Sequence, residues 1–264
     1  MNLLTQVLHL VGSGAIAYIT ARNLRDRRTR PALLAGFQLA ESGSVPFLEA
    51  LSQRAASEGD AWLAEKLAQH AEDERRHGQI FAHALKQLNK QVIDFKATQE
   101  RAMQDKQREG QATDRRRSPF FDAYYKGYSR EDLAPDRIDW IVFFASTHIL
   151  ELDAHKDFIH MANTLPDTDA ASLNLKKGLL SIAQDEQGHA AYLLEAMERC
   201  LPYAEVITLV DDWRTRKVDA LLAMVNRLLE KGGKFPSMAR DGIPTEMSDA
   251  IDERSEEQPR LVTA

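Results

Sequence analysis

The sequence predicts an all-α protein: a four-helix bundle with one long crossover, plus extra N- and C-terminal helices. Three observations predict it. Apolar residues recur three and four apart along almost the whole chain, the period of a helix with one buried face. No stretch alternates apolar and polar residues between hairpin turn signals. The breaks between helical stretches fall in the order short, long, short, which joins two antiparallel helix pairs by a crossover.

The elements follow in order. The first 21 residues, MNLLTQVLHLVGSGAIAYITA, contain no Asp, Glu, Lys or Arg, and RNLRDRRTR follows them. A secretory signal would put positive charge before the apolar run, so this segment is not a good one. Residues 1–24 are read as a helix, with two readings open. It is either amphipathic, packed or lying along a surface, or a membrane anchor oriented by the arginines. Gln6, His9, Gly12, Ser13 and Gly14 weigh against the anchor. Pro31 suits the first turn of a helix that runs to about Ser57, where SEGD breaks the chain. A second helix is expected from about Asp60 to Gln91, fraying toward Gln107. Residues 108–136 hold two glycines, two prolines and many charges, and form the crossover. Its aromatic residues Phe120, Phe121, Tyr124, Tyr125 and Tyr128 are expected to dock on the bundle. Helices over about 137–162 and 170–199 flank the turn NTLPDTD, and Pro202 opens a last helix ending near Gly232. The bundle domain therefore spans 31–230, and 231–264 reads as a polar tail.

A chain of 264 residues supports a sizeable core. Its formal net charge of −6 argues against a nucleic-acid partner, despite arginine runs near residues 26 and 114. Cys200 is the only cysteine, which excludes an intrachain disulfide and a four-cysteine metal site. That usage fits a reducing, cytoplasmic compartment.

Four acidic residues stand where the apolar stripes should continue. Glu41 lies on the stripe of Leu34, Phe37, Val45 and Leu48, and Glu74 and His77 lie on that of Leu67, Ala71, Phe81 and Leu85. Glu151 falls between Phe144 and Phe158, and Glu186 and His189 fall among Leu179, Ile182, Ala190 and Leu193. A residue three positions on is rotated by about 60° and raised by about 4.5 Å, so each Glu-x-x-His pair can converge on one point. Unpaired carboxylates are too costly to bury in fours. Two divalent cations would balance them, with two imidazoles completing the coordination. Nineteen Glu and eight His yield about 0.6 chance Glu-x-x-His matches, so the weight lies in the repeat. Glu41 precedes the first pair by 33 residues and Glu151 precedes the second by 35, in the same helix–turn–helix context.

On these residues the chain, over about 31–199, resembles the ferritin-like di-iron carboxylate superfamily. The resemblance implies two irons held by Glu41, Glu74, His77, Glu151, Glu186 and His189, with Glu74 and Glu186 bridging. DERRH, Asp73 to His77, is similar to the Asp-Glu-x-Arg-His signature of oxygen-activating members; the second half, DEQGH, has Gly188 where Arg would stand. In that pattern each Asp accepts a hydrogen bond from the opposite half's ligand histidine, pairing Asp73 with His189 and Asp185 with His77.

His70, His148 and His155 lie within about a turn of Glu74 and Glu151, as supporting or additional imidazoles. Pro46, with Gly36 and Gly43, either opens a substrate channel beside Glu41 or serves close helix packing. Phe37, Phe81 and Tyr192 are the candidate channel wall. Ribonucleotide reductase small subunits carry a tyrosine four residues after the first ligand histidine; Phe81 holds that place here, which disfavours a radical-generating role.

The resemblance implies an O2-activating oxygenase or oxidase that hydroxylates, desaturates or deformylates a small apolar substrate. It implies electrons from an external ferredoxin-like or flavodoxin-like donor, because the chain has no reductase module of its own. A ferroxidase or rubrerythrin-like iron-handling protein, a dimanganese catalase and a tRNA-hydroxylase-like enzyme are the alternatives. Ferritin monomers are shorter, and Cys200 alone cannot make a rubrerythrin's second iron centre. The uncharged N-terminal segment favours an apolar substrate and a location peripheral to a membrane surface.

Overall fold

The computed structural model describes residues 3–92 and 119–230. They form seven helices and no strand: α1 (Leu3–Arg25), α2 (Arg30–Ser57), α3 (Ala61–Gln87), α4 (Pro119–Tyr124), α5 (Trp140–Thr164), α6 (Ala170–Cys200) and α7 (Tyr203–Glu230). The expected all-α bundle is what the chain forms.

Local chemistry sets the helix ends. Pro31 sits in the first turn of α2, where its missing N–H costs nothing. Gly59 takes a positive φ of 88° to turn the chain, and Asp60 caps α3 by accepting from the Leu63 amide at 2.9 Å. Asp139 caps α5 through the Ile141 and Val142 amides, and Asp169 caps α6 through that of Ser172. Pro46 lies inside α2, which continues past it without a break.

α2 packs along α3 and α5 along α6, with α3 meeting α6. α1 lies across α5, α7 and the start of α2, and α7 covers α5 and α4. Two buried apolar clusters stack along the bundle. One holds Leu48, Leu51, Leu67, Phe143, Phe144, Ile149 and Leu193. The other holds Leu34, Phe81, Leu85, Phe158, Met161, Leu179 and Ile182. On each of the four bundle helices, the inward Glu lies in sequence between a residue of one cluster and a residue of the other. The acids therefore form one polar layer between two apolar halves. Burying a large apolar side chain is worth roughly 1.5–3 kcal/mol, so the halves can hold the helices together while the layer is costly.

The connection is more ordered than expected. Within 108–136, residues 119–124 form α4, because the aromatic run has a partner: Trp213 on α7. Tyr124, Tyr125 and Tyr128 stand 5.1, 5.6 and 6.2 Å from the Trp213 ring, and the Tyr124 hydroxyl donates to the Ser146 carbonyl at 2.7 Å. Phe121 remains exposed. Residues 108–118, the fraying expected toward Gln107 and the tail 231–264 lie outside the described residues. No helix among the described residues is long and apolar enough to cross a membrane.

Candidate metal centre

Two glycines let the bundle helices approach closely around the polar layer. A Cβ on Gly78, next to His77, would fall on the Ser42 hydroxyl of α2, and one on Gly178 of α6 would stand 2.5 Å from Ile80 of α3. Ser44 Oγ lies 2.6 Å from the Glu41 carbonyl oxygen and 3.1 Å from Glu74 Oε2, tying α2 to α3 at the site.

The six residues singled out by their spacing converge. Glu74, His77, Glu186 and His189 are buried, and the Glu41 and Glu151 side chains are only 11% and 13% exposed. Their donor atoms form two groups, each gathered within 4.8 Å: Glu41, Glu74, His77 and Glu186, and His70, Glu74, Glu151 and His189. Glu74 belongs to both. Glu186 joins the halves too, with Oε1 3.4 Å from His77 Nδ1 and Oε2 3.6 Å from His189 Nδ1.

The two aspartates orient the imidazoles across the halves. His77 Nε2 is 3.1 Å from Asp185 Oδ2, and His189 Nε2 is 3.3 Å from Asp73 Oδ2. With Nε2–H donating outward, each Nδ1 faces the carboxylates. Arg76 spans the two aspartates, donating to Asp73 at 3.2 Å and to Asp185, and also to Ser181 at 3.1 Å. Hydrogen bonds from His189, Gln69 and Arg76 overcome burial and hold the Asp73 carboxyl well below the usual range.

The layer fits metal ions by three observations. His77 Nδ1 and His189 Nδ1 are buried without a hydrogen-bond partner, which costs stability unless something else takes up the lone pair. Second, Nδ1 of His77 stands 3.5 Å from Glu41 and 3.8 Å from Glu74, and Nδ1 of His189 stands 3.8 Å from Glu151 and 3.9 Å from Glu74. These separations are long for hydrogen bonds. They are close to the roughly 3.0–3.4 Å between adjacent ligand atoms that each sit about 2.1 Å from one ion. Third, the protons are strained. Burial, then the neighbouring Glu74, Glu186 and Glu151, pushes the Glu41 carboxyl well up; burial and Glu151 do the same to Glu186. Burial is outweighed at Glu74 by His70 and Glu41, and at Glu151 by Glu186 and His189, so both lie below the usual carboxylate range. Asp73, Glu151 and Glu186 overcome burial at His189 and raise it, while burial lowers His77. Glu41 and Glu186 are thus pushed toward the neutral acid while Glu74 and Glu151 favour the carboxylate, a mutual repulsion that two bound cations would relieve.

The three further histidines part company. His70 enters the second group: its Nε2 is 3.3 Å from Glu74 and 3.6 Å from Glu151, and its ring stacks on His189 at 3.7 Å. His70 Nδ1 meets the Tyr192 hydroxyl at 2.8 Å, so Tyr192 is a buried partner of the site as well as a core residue. His148 and His155 instead donate to backbone carbonyls of α6, Ala190 at 2.8 Å and Ala183 at 2.6 Å, and stay out of both groups. A backbone acceptor on the facing helix captures them before the layer can. Phe37 and Phe81 pack with Phe158 in an aromatic cluster, ring centroids 5.2–6.1 Å apart, about one turn from Glu41 and His77.

Sequence reasoning did not find the clamp made by Arg76 or the His70–Tyr192 bond; the Arg in DERRH and the Tyr three after His189 were their only traces. It also missed a second buried charged cluster, around Asp153. Lys217 Nζ is 2.6 Å from Asp153 Oδ2, His9 Nε2 is 3.1 Å from the same oxygen, and Lys156 is 3.7 Å from Oδ1. These groups come from α1, α5 and α7, and no local spacing announces them.

No family model, no curated protein and no solved structure matches this chain.

Proposed function

We propose that this protein is a dinuclear metal oxidoreductase, holding two iron ions in the polar layer and using O2 to oxidise an apolar substrate. The observation that carries the reading is the shared layer: two donor groups joined at Glu74, with two inward imidazole nitrogens that have no hydrogen-bond partner. In this reading the chain belongs with the ferritin-like di-iron carboxylate proteins that its DERRH and DEQGH segments resemble.

Each residue has a definite task. Glu41 and Glu151 would each hold one ion, and Glu74 and Glu186 would serve both. His77 and His189 would offer Nδ1, while Asp185 and Asp73 accept from their Nε2–H groups and so fix the tautomer. Arg76 neutralises the two aspartates together, which keeps their charge from drawing the histidines off the layer. When bound, two redox-active ions supply the electrons that reduce O2. The apolar clusters on either side exclude water from the layer, and Phe37 and Phe81 offer the nearest apolar wall for a substrate. Reducing equivalents come from a separate carrier.

His70 distinguishes the halves. Its position gives the second group a second imidazole, the third of the layer, with Tyr192 accepting from Nδ1–H when Nε2 binds. With His70 bound, the second ion would have more neutral ligands than its neighbour.

Elemental analysis of the purified chain, followed by O2 uptake after reduction, tests the reading. Two Fe per chain and O2 consumption by the reduced protein support it. Two Mn with rapid H2O2 dismutation would make it a catalase, and iron uptake far beyond two atoms per chain would make it an iron-storage protein. Failure to bind transition metals would end it.

A further inference from the structure

We propose that the outward face of α1 docks the protein on an anionic lipid surface. This inference does not rest on the metal reading. α1 is held to the bundle by one face only: Ala17, Ala21 and Leu24, at helical spacing, are buried. The opposite face is apolar as well. Val7, Leu8, Val11, Tyr18 and Ile19 are between 42% and 62% exposed, and folding of the described residues leaves them uncovered. Val7, Val11 and Tyr18 share one azimuth of the helix, and Arg22 and Arg25 continue it. The turn after α1 adds exposed Arg27 and Arg28. Its acid, Asp26, accepts from the Arg28 amide at 2.9 Å, and Arg27 reaches Asp169 at 3.6 Å.

Apolar side chains thus run into a cluster of cationic groups at the C-terminal end of the helix, with a tyrosine at the boundary. That is the pattern of a helix lying in a lipid interface with basic groups at the headgroups. α1 has no Asp or Glu, so a second copy laid on this face would offer its arginines no acid from the same helix. A bilayer with anionic headgroups offers both the apolar layer and the counter-charge.

Vesicle flotation of the full chain tests this. The protein is expected to float with vesicles of phosphatidylcholine containing about one-third phosphatidylglycerol, and only weakly with phosphatidylcholine alone. Arg22→Gln and Arg25→Gln should each weaken the anionic binding roughly fivefold. Val11→Asp with Tyr18→Asp should abolish flotation and leave the thermal midpoint unchanged, since both side chains point outward. No flotation on anionic vesicles would overturn the proposal, as would equal binding to both vesicle types with the arginine variants unaffected. A solution dimer that Val11→Asp/Tyr18→Asp converts to monomer, with no vesicle binding, would assign the face to a second copy instead.

Discussion

The molecule buries carboxylates in two places and treats them differently. Asp153 brings its own cation: Lys217 at 2.6 Å, with His9 and Ser13 also on the same oxygen. These partners outweigh burial and keep its carboxyl well below the usual range. Glu41, Glu74, Glu151 and Glu186 have no Lys or Arg within ion-pairing distance among the described residues; their neighbours are imidazoles and one another. A buried acid with an internal counter-ion is part of the scaffold. Four acids without one could hold cations, which would supply their charge balance from outside the chain.

The contrast can be broken from either side. Glu74→Ala should have the largest effect: it removes the carboxylate common to both donor groups and should abolish metal loading, read by elemental analysis. The same variant should stay helical by circular dichroism, because the apolar clusters above and below are intact. Collapse of the fold would make the layer structural. Lys217→Met attacks the other region. It leaves Asp153 buried with weaker partners and should cost about 3 kcal/mol in denaturant unfolding, without changing metal stoichiometry. Replacing Asp153 by Leu in that background should recover much of the loss. If Lys217→Met instead lowers metal content, the two regions are not independent.

Smaller changes sharpen the comparison. Asp73→Asn or Asp185→Asn should weaken metal binding by roughly 10–100-fold in a competition titration, because each fixes a histidine rather than binding the ion. Asp157 gives a pH signature. Burial pushes its carboxyl up to about 6, above its unfolded value, so the folded state holds the proton longer. Its ionisation therefore removes stability as pH rises from about 4 through 6. Asp157→Asn should match the parent near pH 4 and exceed it by up to about 3 kcal/mol at pH 7 in urea unfolding. Equal stability at both pH values would mean that water reaches Asp157 freely.

Much of this was legible before any coordinates. Helical spacing placed the elements within a few residues: α2 at Arg30–Ser57, for example, where Pro31 and SEGD marked its ends. The six inward residues were readable because an acid or imidazole interrupts an apolar stripe, and a repeat at 33 and 35 residues is hard to produce by chance. The aromatic run after Ser118 announced docking but not Trp213, since its partner lies near the other end of the chain.

What the sequence determined by itself is azimuth: the face of its own helix on which each residue lies, and hence which polar residues must be buried. What only the tertiary structure decided is meeting. His70, His148 and His155 all lie within about a turn of an inward glutamate, yet only His70 joins the layer, because the height and roll of α6 put the Ala190 and Ala183 carbonyls in front of the other two. Asp153, Lys217 and His9 are far apart in the chain and share no pattern. Helix period fixes direction around one axis, but the distance between atoms on different axes depends on how the side chains of both helices pack.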